Sequence, residues 1–194
     1  MKRHLITTTA IGLTCVVATL TFLTSTTVTS EENEGKAGWF DLNELRYPEV
    51  EAITNPLYIK ECGSCHMAYP PGLLPEKSWQ HIMNNLQDHF SDNAELSPEI
   101  QSSLTEYLTA HAADHSQYRR SRNIMQSLEA GSDIGRITQT PFFKSKHAEI
   151  PQKFVKDNPK VGSFSQCQLC HQNAQKGSFN EDEISIPGVG YWED

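Results

Sequence analysis

The 194-residue chain lacks several features that would mark common protein classes. It has no excess of basic residues, since 16 Lys and Arg stand against 24 Asp and Glu, and no long basic run. That balance argues against a nucleic-acid-binding protein. The apolar stretch at residues 11–23 is shorter than the roughly 20 residues of a membrane-spanning helix. No segment alternates apolar and polar residues over a useful strand length, so we expect one mostly helical domain with a modest core.

The N-terminus has the layout of a secretory signal. Lys2 and Arg3 precede the apolar stretch, and a Thr/Ser-rich segment then runs to Ser30. Small side chains at Val28 and Ser30 suit cleavage after Ser30, which would deliver the chain to the periplasm without a membrane anchor. An uncleaved N-terminal anchor is the alternative. The predicted organisation is a signal peptide over 1–30, an acidic lead-in over 31–51 and one functional domain over 52–194.

Four of the five cysteines occur in two short patterns that each end in histidine. These are Cys62, Cys65 and His66 in the first, and Cys167, Cys170 and His171 in the second. C-x-x-C-H is the attachment signature of c-type haem, because two thiols bond the two vinyl groups and the histidine reaches the iron. Two disulfides or a four-thiolate zinc site would leave both histidines unexplained. The chain is therefore predicted to bind two haems covalently through these cysteines, with His66 and His171 as proximal iron ligands.

The remaining pattern predicts a mainly α fold with long irregular loops packed around the two haems. Apolar residues recur at helical spacing over 78–90, and further helices are expected from Pro98, around 124–128 up to Gly131, and from Pro141 to Ile150. The proline-rich segment 69–75 reads as a rigid loop beside a haem edge. Residues 136–138 are predicted to be extended and residues 152–166 to form a polar loop.

Each haem iron needs a second axial ligand. Only 23 residues follow His171, without Met or His, so the chain is no tandem duplication and the second iron must be completed from upstream. The candidates are five histidines and three methionines: His81, His89, His111, His115 and His147, and Met67, Met83 and Met125. Helical spacing puts His89, His111 and His147 on apolar faces, where ligands to a buried iron are expected, and leaves the other two histidines on polar surfaces.

Several further motifs resemble the bacterial dihaem cytochrome c family over residues 55–188. They are Cys62 to Pro75, Ser78-Trp79, Ile82-Met83, Leu86, His89-Phe90, Tyr107-Leu108, Ala112 to Asp114, Arg136 to Thr138, Pro141-Phe142, His147, Glu149 to Pro151, Cys167 to His171, Ala174, Gly177, Phe179 and Ile186-Pro187. The resemblance implies a small helical c-type cytochrome fold, a soluble periplasmic electron carrier and two histidine ligands at each iron. By motif position it selects His89 and His147 as distal ligands. The chain departs from the family at Ser91 and at His111, and the second departure makes His111 a rival ligand.

Two nitrogen ligands leave an iron no open position, so the predicted function is single-electron transfer rather than enzyme catalysis. The expected partners are a membrane donor, such as a b-type cytochrome or another quinol-side protein, and a small c-type cytochrome as acceptor. A peroxidase- or reductase-like dihaem enzyme and a haem subunit of a larger reductase are the alternatives. Residues 144–160 carry five lysines against two acids, which makes them either a docking face or ordinary solvated surface. Four arginines are candidate partners for haem propionates, of which only the last has family support: Arg119, Arg120, Arg122 and Arg136.

Overall fold

The computed structural model describes residues 48–132 and 134–192. Within them the chain forms seven short helices, and the bounds are Pro56–Cys62 (α1), Glu76–Met83 (α2), Pro98–Ala110 (α3), Arg119–Ser127 (α4), Pro141–Lys146 (α5), Gln152–Val155 (α6) and Cys167–Cys170 (α7). The strands Ser185–Ile186 (β1) and Gly190–Tyr191 (β2) form one small antiparallel hairpin. The predicted mainly α fold is thereby confirmed. The predicted signal peptide and most of the acidic lead-in lie outside the described residues.

Three helices begin by the same local mechanism. A polar side chain accepts backbone N–H groups of the first turn while proline occupies the first helical position: Asn55 and Pro56 in α1, Ser97 and Pro98 in α3, and Thr140 and Pro141 in α5. Proline has no N–H to satisfy there and its φ angle already suits a helix. The predicted starts of α3 and α5 are therefore correct.

The helix predicted over 78–90 is too long. Helix α2 ends at Met83, and a 3-10 turn over Leu86–Asp88 follows. Phe90 and Ser91 then adopt positive φ angles of 60° and 82°. The His89 N–H donates to the Asp92 carbonyl at 2.7 Å, which closes a tight reversal of the chain. His89 thus lies in this turn and not on a helix face.

Other predicted boundaries also shift. Helix α4 ends at Ser127, well before Gly131, because the backbone becomes extended at Leu128. The Ser127 hydroxyl donates to the Ile124 carbonyl and accepts the Phe142 N–H. Helix α5 ends at Lys146 and does not reach Ile150. Helix α6 lies in the segment predicted to be a loop, and Ile137–Gln139 forms a 3-10 turn where an extended segment was expected.

Three apolar clusters hold these elements together. The first joins α1, α2 and α3 and has Tyr58, Trp79, Met83, Leu104 and Leu108 among its buried members. The second comprises Val50, Met67, Leu73, Ile124, Ala174 and Phe179, and the third is built on Val155, Val161 and Ile186. Burial of one such side chain contributes about 1.5–3 kcal/mol. Among the described residues, no helix has the length and apolar character needed to cross a membrane.

The last residues of the predicted lead-in belong to the folded body. The N–H groups of Glu49 and Val50 both donate to the Gly177 carbonyl, and Val50 is fully buried. A Cβ at Gly177 would lie 2.0 Å from the Val50 carbonyl oxygen, and its φ is 83°. This position accepts only glycine because both the close approach and the left-handed conformation exclude other side chains.

Candidate functional site

The first site is the group formed by Cys62, Cys65 and His66. Cys62 ends α1 and Cys65 is exposed to solvent. Burial raises the pKa of the Cys62 thiol to about 11, and the neighbouring Glu61 carboxylate adds to the effect. The His66 Nδ1 lies 2.8 Å from the Met67 carbonyl, which can only accept, so Nδ1 carries the proton. The lone pair is thereby left on Nε2, the state required of an iron ligand.

His89 faces the first site from the tight turn after α2. Its ring centroid lies 6.2 Å from that of His66, and the two ring planes differ by 19°. Burial lowers the pKa of His89, and the nearby His66 and Arg136 lower it further. The Arg136 guanidinium itself lies 3.8 Å from the centre of the Phe90 ring. The structure therefore brings together two imidazoles, of which His89 is held in its neutral form.

The second site is the group formed by Cys167, Cys170 and His171, at and just after α7. Burial raises the pKa of the Cys167 thiol to about 11 and also raises that of Cys170. Burial lowers the pKa of His171 to about 4, helped by the neighbouring His147 and Arg120. All three groups are thus neutral in the folded chain at ordinary pH.

His147 faces the second site from the end of α5. Its ring centroid lies 6.2 Å from that of His171, with the ring planes at 75°. Its Nδ1 lies 2.8 Å from the Phe143 carbonyl, and the Phe143 ring stacks on it at 3.8 Å. The Phe164 ring meets it edge-on at 5.8 Å. The carbonyl again assigns the Nδ1 proton and leaves the lone pair on Nε2, the atom that would bind a metal.

The second site opens into a mostly apolar cleft. The cavity at its centre is about 90 Å³, and the cleft opens from there to the surface. The walls include Leu73, Ile124, Phe142, Phe143, Ile150, Val155, Phe164, Phe179 and Ile186. Arg120 also lines it, and its Nε is buried without a hydrogen-bond partner among the described residues. An apolar cleft with one unsatisfied guanidinium N–H suits a flat ring that carries carboxylates.

The spacing of the imidazoles matches a metal between them. With a metal–nitrogen bond of about 2.0–2.1 Å on each side and a ring nitrogen about 1.1 Å from its centroid, two axial imidazoles have centroids about 6.2–6.4 Å apart. The observed distance is 6.2 Å both for His66 and His89 and for His147 and His171. The residues present therefore fit a haem iron at each site, which the two imidazoles of each pair would hold.

The other candidate histidines have different surroundings. His111 caps α3, where its ring packs on Tyr107 and its Nδ1 lies 2.9 Å from a Glu51 carboxylate oxygen. His115 bonds the Glu76 carboxylate at 2.9 Å. His81 is exposed on α2. None of the three is paired with His66 or His171 among the described ring contacts.

Sequence reasoning missed part of the surroundings of the second site. Phe143 stacks on His147 and Phe164 meets it edge-on, and the largely buried Glu49 carboxylate accepts from Arg119, Arg120 and the Phe179 N–H. Helical spacing does place Phe143 one turn before His147, on the same apolar face. Glu49 could not be found from the sequence, since its Phe179 contact joins residues 130 positions apart. Of the four candidate arginines, only Arg120 is largely buried at this site.

Two C-x-x-C-H segments in a helical fold, each with a second imidazole at axial distance, define a c-type cytochrome with two haems. The family model of dihaem cytochrome c matches residues 58–179, and the chain belongs to that family. It is accordingly an electron-transfer haem protein that carries two c-type haems. Proteins of this class are generally extracytoplasmic.

Solved structures agree with this assignment. A dihaem cytochrome c from Shewanella baltica OS155 is 46% identical, with 76% of this chain and 100% of that chain covered at a TM-score of 0.60. A dihaem cytochrome c from Rhodobacter sphaeroides is 37% identical, with 67% and 100% covered, also at 0.60. A comparison with curated proteins returned no match.

Proposed function

We propose that this chain is a periplasmic electron carrier in which two histidines hold each iron. His66 pairs with His89 at the first site, and His171 pairs with His147 at the second. The observation that carries the proposal is the equal centroid distance of 6.2 Å in both pairs. Because both axial positions are then filled by strong ligands, neither site offers a substrate an open coordination position.

Backbone carbonyls and aromatic side chains of the protein hold these histidine rings in place. The carbonyls of Met67 and Phe143 each accept an Nδ1 proton, which fixes the ring orientation of His66 and His147. The Phe143 and Phe164 rings pack on His147 and give the second site apolar walls. When bound, the haem supplies a reversible one-electron iron couple, whose potential we expect to be low because no methionine sulfur is an axial ligand.

Docking to partners is expected to use charge. The chain has a net charge of −8, while residues 144–160 carry five exposed lysines against two acids. Lys144 and Lys156 border a cleft that His147 also lines, so this positive strip lies beside the second site. We propose a membrane donor, a b-type cytochrome or another quinol-side protein, and a small c-type cytochrome as acceptor. One of them would meet the strip with an acidic face.

Salt and charge reversal test the docking proposal. The bimolecular rate of electron transfer should fall as ionic strength rises, because the Debye length shortens to about 10 Å at 0.1 M. Lys153→Glu and Lys156→Glu should slow the reaction with one partner, whereas Lys60→Glu, distant in sequence and exposed, is the matched control. A rate that depends on neither salt nor these lysines would contradict docking through the strip.

The spectrum of the purified oxidised protein tests the proposed ligation. Two covalent haems per chain are expected from the pyridine haemochrome assay, both low-spin and without the long-wavelength band of a methionine–iron bond. A high-spin component in the resting protein would contradict bis-histidine ligation and favour a dihaem enzyme with an open site. A methionine–iron band would show that a thioether replaces one of the distal histidines.

A further inference from the structure

Tyr69 contacts the first haem-attachment segment with its ring and the residues just before the second with its hydroxyl. Its ring stacks on the His66 ring, with centroids 4.8 Å apart and planes 25° apart. Its hydroxyl donates to the Ser165 carbonyl at 2.7 Å, two residues before Cys167 and 96 residues away along the chain. The half-buried Tyr69 side chain therefore connects the proximal histidine of the first site to the segment that leads into the second site.

Both ends of this connection are anchored. The Tyr58 hydroxyl donates to the Tyr69 carbonyl at 2.8 Å, so the backbone of Tyr69 is held against the first apolar cluster. At the other end, α7 has only four residues and no side-chain cap at its N-terminus. The segment before Cys167 is held locally by bonds to Ser163 from the Ser165 and Gln166 N–H groups, and the bond from Tyr69 adds a restraint from a distant part of the fold.

A purely apolar role does not account for the hydroxyl. Packing on His66 and against the second cluster needs only the ring, which phenylalanine also provides. The hydroxyl lies 2.7 Å from the Ser165 carbonyl oxygen, which can only accept, so the hydroxyl donates there. A hydroxyl that donates to a backbone carbonyl acts as a geometric restraint.

We infer that Tyr69 is a positioning residue that couples the geometry of the two haem sites. Its ring orients the His66 imidazole, and its hydroxyl sets the path of residues 165–167 and with it the place of the second haem. The inference rests on the proposed function, in that His66 is taken as an axial ligand. Its consequence is that this side chain helps to set the relative placement of the two sites, on which electron exchange between them depends.

Two substitutions separate the roles of ring and hydroxyl. Tyr69→Phe keeps the stacking and removes only the bond to Ser165, and Tyr69→Leu removes both. The matched control is Tyr107→Phe, since Tyr107 packs on Tyr58 in the first cluster without a contact to the second motif among the described ring pairs. The readouts are the low-spin electron paramagnetic resonance (EPR) signals and the two midpoint potentials of the haem-loaded full chain.

The inference predicts a graded pattern. Tyr69→Phe should shift the EPR signal and midpoint potential of the second site while leaving the first-site signal in place. Tyr69→Leu should shift both signals, and the Tyr107 control neither. Unchanged second-site signals in Tyr69→Phe would overturn the inference, even if the variant were less stable. Failure of the proposed function looks different, because the unsubstituted protein would then lack two low-spin signals.

Discussion

The two haem sites share one five-residue pattern and differ in nearly everything around it. At the first site Cys65 is exposed, and Phe90, which follows His89, is 40% exposed. At the second site the imidazoles are surrounded by three aromatic rings, Phe143, Phe164 and Phe179. The planes of the histidine rings are 19° apart at the first site and 75° apart at the second.

This difference separates the residues that attach a haem from those that determine its redox potential. The pattern C-x-x-C-H determines where a haem is bonded, whereas burial and ligand orientation determine how it behaves. Removal of water disfavours the additional positive charge of the oxidised iron, so the more enclosed second site should have the higher midpoint potential. Nearly parallel and nearly perpendicular imidazoles also split the iron d orbitals differently, so the two oxidised sites should give distinct EPR signals.

The largest expected effect comes from removing one distal histidine at a time. His89→Ala should convert only the first site to high spin, because its haem stays covalently attached and the second site keeps both ligands. His147→Ala should do the same to the second site and abolish the signal of the perpendicular pair. EPR and visible spectra of the oxidised variants provide the measurement.

Two histidines serve as controls for that experiment. His81→Ala removes an exposed ring on α2 and should leave both low-spin signals unchanged. His111→Ala breaks only the contacts with Glu51 and Tyr107 and should behave likewise. If His111→Ala produced the high-spin signal and His89→Ala did not, the assignment of the first site would be wrong.

The next largest effect concerns what holds the second site together. Glu49 has a side chain only 13% exposed and binds Arg119, Arg120 and the Phe179 N–H. Glu49→Ala leaves the Arg120 guanidinium largely buried without its carboxylate, a change that costs about 3–5 kcal/mol of unfolding free energy. Denaturant unfolding followed by circular dichroism measures it.

The control for Glu49 is Glu61→Ala. Glu61 pairs with Lys60, whose side chain is 77% exposed, and such pairs contribute about 0.2–1 kcal/mol at most. Equal losses in the two variants would mean that the cluster around Glu49 does not stabilise the second site as a buried ion pair. A shift of the first-site EPR signal in Glu49→Ala would show that Glu49 does not act on the second site alone.

A smaller effect is expected from the charge beside the first site. Arg136 lies over the Phe90 ring and lowers the pKa of His89, so it also disfavours the oxidised iron. Arg136→Gln should lower the midpoint potential by about 10–40 mV, because an exposed charge interaction is worth about 0.2–1 kcal/mol and about 59 mV corresponds to roughly 1.4 kcal/mol for one electron. Redox titration should show a larger shift at the first site than at the second. Arg122→Gln, at an exposed position on α4, is the control.

Local features of the fold could be predicted from the sequence, and long-range ones could not. The starts of α3 and α5 follow from a polar cap and a proline that are adjacent in the chain. The early end of α2 depends on a reversal closed by His89 and Asp92, which the apolar periodicity of 78–90 conceals. A helical face was therefore the wrong reason for selecting His89.

The residues of the two sites also fall into those that the sequence predicts and those that it does not. The attachment residues are readable because their chemistry demands a fixed spacing, and the histidine rings are brought together in the pairs that chain proximity suggested. The bonds from Glu49 to Phe179 and from Tyr69 to Ser165 span 130 and 96 positions, and no local pattern marks either. Such contacts arise from packing, which periodicity and motif spacing do not encode.

The smallest predicted effect concerns the pair of His115 and Glu76, which joins α3 to α2. Its contribution to stability should depend on pH, in contrast to that of the buried ion pair of Glu49 and Arg120 at the second site. His115 follows α3 and bonds the Glu76 carboxylate in α2, which raises the pKa of His115 in the folded chain. A raised folded pKa means that the contribution to stability is complete below the unfolded value of about 6.5 and is lost as the pH rises through the folded value. His115→Gln should therefore lower the unfolding midpoint in urea at about pH 5 and leave it unchanged at about pH 9. His81→Gln, exposed on the same helix as Glu76, should show no such difference between the two pH values. A loss of equal size at both pH values would show that His115 acts through packing and that its bond to Glu76 contributes no pH-dependent stability.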